Sequence, residues 1–191
     1  MSIGISAKQL QQWHDIALPY DEYLAVTPEK AVPWRETDAR SKLSEAQQGL
    51  LAGFTREMKV LVVSGVWCGD CSSQGPMLAA IAAASPQIDL RWLDRDDATT
   101  LSAHVAINQG HRVPTVLFMA EDYEAVSVYG DRTLTRYRAM AARQLGASCV
   151  IPGSSIPEDE FANTLQDWLD EFERVQLLLR LSARLRQKHG D

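Results

Sequence analysis

Trp67-Cys68-Gly69-Asp70-Cys71 stands where one kind of sequence pattern gives way to another. On its N-terminal side, Lys59-Val60-Leu61-Val62-Val63-Ser64 is a short, β-branched, apolar run that predicts a buried strand. On its C-terminal side, residues 72–84 predict a helix. Two cysteines separated by two residues, where a strand hands over to a helix, form a candidate redox pair. Cys68 would sit at the helix N-terminus, where unpaired backbone N–H groups and the macrodipole favour a thiolate. Cys71 lies one turn further in, near enough to close a disulfide.

Outward from this centre, Ile88-Asp89-Leu90-Arg91-Trp92-Leu93 alternates as a second strand, and residues 98–108 predict a helix that ends in a loop at 109–112. Thr115–Met119 and Ala125–Tyr129 read as two strands joined by a turn at Glu121-Asp122. Residues 132–145 predict a helix ending at Gly146, Pro152–Ser155 a loop, and residues 158–188 one long helix with an acidic start and a basic end. Upstream, Ser6 caps a helix carrying Leu10, Trp13, Ile16 and Ala17, which Pro19 stops. Residues 20–36, with Pro28 and Pro33 and mixed polarity, predict an irregular connection with at most one short turn of helix. Ser44-Glu45-Ala46-Gln47 has the form of a capping box for a helix running to about Met58, with Leu43, Leu50, Leu51 and Phe54 on one side. Together these elements predict an α/β fold with a mixed sheet.

A chain of 191 residues is long enough for one sizeable core. Its 46% hydrophobic and 23% charged residues exclude disorder, and no run of about 18 apolar residues predicts a membrane span. With 19 Lys+Arg against 25 Asp+Glu, the formal net charge of -6 and the lack of a basic block argue against a nucleic-acid partner. The first residues lack a basic stretch followed by an apolar run, so they do not read as a signal peptide. The cysteines number 3, too few for a disulfide scaffold, and the expected compartment is a reducing cytoplasm.

Three motifs resemble the thioredoxin superfamily. Trp67-Cys68-Gly69-Asp70-Cys71 is similar to its W-C-G-x-C centre, Pro76 to the proline that kinks the following helix, and Val113-Pro114-Thr115 to its hydrophobic-Pro-Thr segment with a cis proline. Gly130 also falls where the family has a glycine. The likeness covers residues 56–145. It implies a thioredoxin-like mixed sheet flanked by helices, with a helical extension at 1–55 packed on the main domain, and a loop and long helix at 146–191 belonging to the same unit. A proline inside the helix at 76 removes a backbone hydrogen bond at a cost of about 3 kcal/mol. The resemblance further implies dithiol-disulfide exchange, with Cys68 attacking and Cys71 resolving, and a substrate held near Trp67, Val113 and Pro114 by strand addition. No cofactor or metal is implied. The expected partners are disulfide-containing proteins or small thiols and an electron-donating reductase.

Two positions depart from the family pattern. Val62 stands where relatives often carry a buried acid that takes the proton of the second cysteine, leaving water, Asp70 or Asp94 as acceptors. Gly69 and Asp70 occupy the tuning positions, and Asp70 stands where thioredoxin has proline. Its carboxylate would disfavour the Cys68 thiolate by about 1 kcal/mol, against about 0.3–1 kcal/mol in favour from the helix terminus. The two nearly cancel, which predicts a weakly stabilised thiolate and a reducing potential.

Simpler readings stand beside these. The pair could ligate zinc or iron–sulfur, but Cys149 is the other cysteine and lies far along the chain; it reads as a buried hydrophobe. His14, His104, His111 and His189 read as solvated, and Asp94-Arg95-Asp96-Asp97 as a turn at a strand end. Leu177, Leu178, Leu181 and Leu185 could face a second copy in a homodimer, although packing against the N-terminal helices is favoured. A binding or redox-sensing module that keeps the fold without catalysis is the alternative function.

Overall fold

Ser6 opens the first helix through a reciprocal cap: its hydroxyl accepts from Gln9 N at 3.4 Å, and the Gln9 side chain accepts from Ser6 N at 3.0 Å. The helix, α1 (Ala7–Ile16), buries Leu10 and His14, while Ile16 faces solvent. His14 is therefore not solvated as expected; its Nε2 lies 3.2 Å from Asp89 O. The computed structural model describes residues 3–145 and 159–191. Gly146, Cys149, the loop at 152–155 and residue 158 lie outside the described residues.

Residues 20–36 are largely helical, not irregular. They form α2 (Tyr20–Ala25), a 3-10 turn at Pro28–Lys30 and α3 (Val32–Asp38). The prolines stand at the starts of these elements, where a missing N–H costs no hydrogen bond, so they begin helices instead of breaking one. A second capping box at Ser44 and Gln47 starts α4 (Glu45–Ala52), which ends at Gly53 well short of Met58.

β1 (Met58–Ser64) follows, and all its residues but Lys59 are buried. It is a central strand, parallel to β2 (Ile88–Asp94) and antiparallel to β3 (Thr115–Ala120). β3 pairs antiparallel with β4 (Ala125–Gly130), giving the mixed order β2-β1-β3-β4. α5 (Gly69–Ala83) connects β1 to β2 with Pro76 inside it. α6 (Thr99–His104) stops earlier than expected, because Ile107 and Gly110 pair backbone to backbone around Asn108 and Gln109, both at positive φ. The edge of β2 is partly covered by Leu18, which exchanges backbone hydrogen bonds of 2.8 and 2.9 Å with Trp92.

α7 (Leu134–Leu145) leads towards α8 (Glu160–Leu181). The long terminal helix breaks at Ser182, whose extended backbone and hydroxyl cap α9 (Ala183–His189). The basic end of the chain answers the β3–β4 turn: Arg184 pairs with Asp122, and Lys188 and His189 with Glu121. α8 packs chiefly on α5 and α7, and touches the N-terminal segment through Gln47 and the backbone at 55–56. Leu185 is buried, whereas Leu177, Leu178 and Leu181 are exposed. Among the described residues, no helix is long and apolar enough to cross a membrane.

Both terminal regions press on α5. Trp34 of α3 is fully buried, and its Nε1 donates to Val66 O at 2.9 Å. Gly75 of α5 makes room for that indole, since a Cβ there would lie 2.1 Å from Trp34 Cζ3. From the other side, Trp168 of α8 donates to Gln74 Oε1 at 3.2 Å, and Gln74 Nε2 donates to Asp131 O at 3.1 Å.

Candidate active site

β1 delivers the chain into a tight loop in which Cys68 N donates to Gly65 O at 2.9 Å. Cys68 is thereby placed at the N-cap of α5, with Gly69, Asp70 and Cys71 forming its first turn. Cys68 is half-buried and Cys71 fully buried, and both are free thiols close to one another. The Cys68 thiol is pulled down to about 6, first by the hydrogen bond from Cys71, then by the Cys71 and Asp70 N–H groups, against burial and the Asp70 charge. Burial pushes the Cys71 thiol well up, and the Cys68 charge reinforces it. The two thiols are thus shifted in opposite directions, the half-exposed one down and the buried one up.

The expected near-cancellation at Cys68 does not hold, because the Cys71 hydrogen bond, which the sequence concealed, lowers the thiol further, although the Asp70 charge still opposes it. Asp70 is not a free carboxylate. Its Oδ1 accepts from Arg136 Nη2 at 2.8 Å and its Oδ2 from Arg132 Nη2. Arg132 also donates to Asp131 Oδ2 at 2.9 Å, and Asp131 takes further bonds from Arg112, at 3.3 Å, and from Tyr137. Two guanidiniums therefore pair with the Asp70 carboxylate, whose remaining influence on the sulfur still opposes the thiolate. Alkylation of reduced Cys68 by iodoacetamide should follow a single titration centred near pH 6, falling about tenfold for each unit below it. A midpoint near 8.5 or above would contradict the hydrogen bonding described.

The remaining expected residues also gather here. The Cys68 thiol faces Val113 O at 3.8 Å, and the Val113–Pro114 peptide bond is cis. Val113 and Pro114 are both buried, and what Val113 turns to Cys68 is its carbonyl. Gly130 lies directly behind: at φ +153 a Cβ would meet Pro114 O at 2.4 Å, which keeps this position a glycine. Trp67 is 44% exposed, with the Arg95 guanidinium 4.5 Å from its ring centroid. His111 Nδ1 pairs with Ser102 Oγ at 3.0 Å. Asp94 Oδ1 accepts from Asp96 N at 2.8 Å, closing the strand-end turn.

Sequence reasoning missed Arg132, Arg136, Trp34, Gln74 and Trp168. The two arginines and two tryptophans lie far from the cysteines in sequence, and no spacing rule links a lone arginine or tryptophan to a distant loop; Gln74 is close to Cys71, but its partners Trp168 and Asp131 are not.

A family model described as thioredoxin matches residues 17–143, reaching well upstream of the 56–145 marked out by the motifs. Thioredoxin H-type 1 of Nicotiana tabacum is 30% identical over 76 residues, which are 40% of this chain and 58% of that protein. The match thus spans less than two thirds of the tobacco protein's length. The crystal structure of an HIV epitope scaffold superposes with a TM-score of 0.61 at 17% identity, covering 86% of this chain and 98% of the scaffold. A Pseudomonas aeruginosa protein of unknown function gives a TM-score of 0.59 at 19% identity, over 87% and 99% of the two chains. At such identities the two structures speak for the fold alone. With its family model covering most of the sequence and its mixed sheet carrying a close cysteine pair at the head of a helix, the chain belongs to the thioredoxin family.

Proposed function

We propose that this protein is a thiol-disulfide oxidoreductase that reduces disulfides through Cys68 and Cys71. The observation that carries the reading is the asymmetry of the pair: a half-exposed thiol lowered to about 6 beside a buried thiol raised well above its usual value. Cys68 attacks the substrate disulfide, and Cys71 then displaces the reduced product. A thiol near 6 stands closer to the roughly 7 of a disulfide reductant than to the about 3.5 of a strong oxidant, which favours reduction.

Trp67 and the Val113–Pro114 backbone form the surface against which an extended disulfide-bearing segment docks. The partners are then disulfide-containing proteins or small thiols and a reductase that returns electrons, in a reducing compartment such as the cytoplasm. Turbidimetric reduction of insulin by dithiothreitol tests the activity: the wild-type chain accelerates it, and Cys68→Ser abolishes the acceleration. No acceleration by the wild-type chain would leave a binding or sensing module as the reading.

A further inference from the structure

Val62 leaves Cys71 without the buried acid expected beneath it, and what surrounds Cys71 instead comes partly from the N-terminal helices. Ser64 ends β1 and is fully buried, and Tyr23 of α2 is 3% exposed. Among the described residues, Ser64 Oγ and Tyr23 Oη are buried hydroxyls that complete no hydrogen bond, a costly arrangement for a protein interior. They are nonetheless close enough to interact: Ser64 with both the Cys71 sulfur and the Tyr23 hydroxyl, and Tyr23 with the charges of Cys71, Cys68 and Asp94.

Strand register explains the convergence. Ser64 is the parallel partner of Asp94, as Val62 is of Trp92, so these side chains leave the same face of the sheet. The Tyr23 ring stacks on Trp92 at 5.7 Å between centroids and 20° between planes, on that same face. Asp94 is half-buried at the rim, where burial raises its proton affinity; Asp96 and Asp97 act in the same direction, and Arg95 and the Asp96 N–H oppose it. Asp70, the other nearby carboxylate, is engaged by Arg132 and Arg136.

We infer that Ser64 and Tyr23 form a buried hydroxyl relay that passes the Cys71 proton to Asp94 during release of the substrate. The inference rests on the exchange reading above. In the first step the Cys68 thiolate attacks a substrate disulfide, forms the Cys68–substrate S–S bond and expels one substrate thiolate. In the second, Cys71 gives its proton through Ser64 to Asp94, and the new thiolate attacks Cys68 Sγ. The Cys68–Cys71 bond forms, the bond to substrate breaks, and the second substrate thiolate departs with the electron pair. The dithiol is oxidised, the substrate disulfide reduced, and Asp94 returns its proton to solvent. Tyr23 stays protonated throughout, since burial pushes its phenol far up; with no bond completed at rest, its hydroxyl is placed to steer that of Ser64 as the proton passes. Tyr23 is thus a positioning residue supplied by a helix outside the central sheet.

Single-turnover reduction of a fluorescent peptide with one intermolecular disulfide, acid-quenched and read by intact mass, separates the steps. Formation of the Cys68–peptide adduct should change less than about twofold in Ser64→Ala, Tyr23→Phe and Asp94→Asn. Adduct decay should slow by about tenfold in Ser64→Ala and about 10²-fold in Asp94→Asn, the low end of general acid–base contributions. The pH at which decay is half-maximal should rise in all three, which a merely structural role would not produce. Tyr23→Phe keeps the ring and loses only the hydroxyl, so it reports even if the Ser64 variant folds poorly. Decay at the wild-type rate and pH in the variants overturns the relay. A wild-type chain that never forms the adduct overturns the exchange reading beneath it.

Discussion

Trp34→Ala is expected to lose about 3–5 kcal/mol of folding stability, seen as a lower urea midpoint with an unchanged slope. The indole is fully buried among aromatic neighbours, 5.6 Å from Trp92 and 5.9 Å from Tyr23, in edge-to-face contact with both. It also sits in the notch that Gly75 opens in α5. Truncation to alanine leaves a cavity bounded by the sheet on one side and α5 on the other, neither of which collapses cheaply. The functional consequence is separate from the cavity. Trp34 Nε1 ties down Val66 O, two residues before Cys68. Trp34→Phe keeps an aromatic ring and drops the tie, so its smaller loss of about 1–3 kcal/mol should come with a disproportionate change in Cys68 reactivity. Equal Cys68 alkylation rates in Trp34→Phe and wild type would show that the loop holds its shape without the tether.

That contact also marks the limit of what could be read from the sequence. The centre was legible because its signals are local: a β-branched run, two cysteines one turn apart and a proline within a helix all act over a few residues. The sheet followed from the same alternation. The capping boxes at Ser6 and Ser44 were legible for the same reason, each being a bond across three residues. Residues 20–36 were misread because proline was taken as a breaker, whereas at a helix start it loses nothing. The break at Ser182 was hidden because the leucine pattern runs on through it; a serine hydroxyl able to cap the next turn decided the local geometry.

The polar surroundings of the cysteines were hidden for a different reason. Tyr23, Ser64 and Asp94 are brought to one face of the sheet only once β1 and β2 are in register and α2 lies over Trp92. Gln74 likewise gains meaning from Trp168 and Asp131, each more than fifty positions away. Their partners are chosen by tertiary packing, and no local period announces them. Asp70 is the sharpest instance. Read alone it opposes the Cys68 thiolate, and only the fold reveals the two cations that hold it.

Removing those cations should therefore restore the behaviour that the isolated sequence suggested. In Arg132→Ala/Arg136→Ala, the Asp70 side chain, only 19% exposed, is left with both of its guanidinium partners gone. Breaking a buried pair costs about 3–5 kcal/mol; the partial exposure of these side chains lowers the expected loss to about 2 kcal/mol. Asp131 is less affected, because Arg112 and Tyr137 still engage it. The larger effect is at the sulfur. With an uncompensated carboxylate in the same helical turn, the Cys68 titration should rise from about 6 by roughly one unit, slowing alkylation at pH 6 about fivefold. Adding Asp70→Asn removes the charge while keeping the backbone N–H that points at Cys68, so the titration should return close to its original midpoint. A midpoint that does not move in the double variant would mean that the Asp70 charge is screened by solvent, leaving the arginines a structural role alone. A midpoint that moves and is not restored would place the effect in the geometry of α5, since the carboxylate would then be gone and its influence with it.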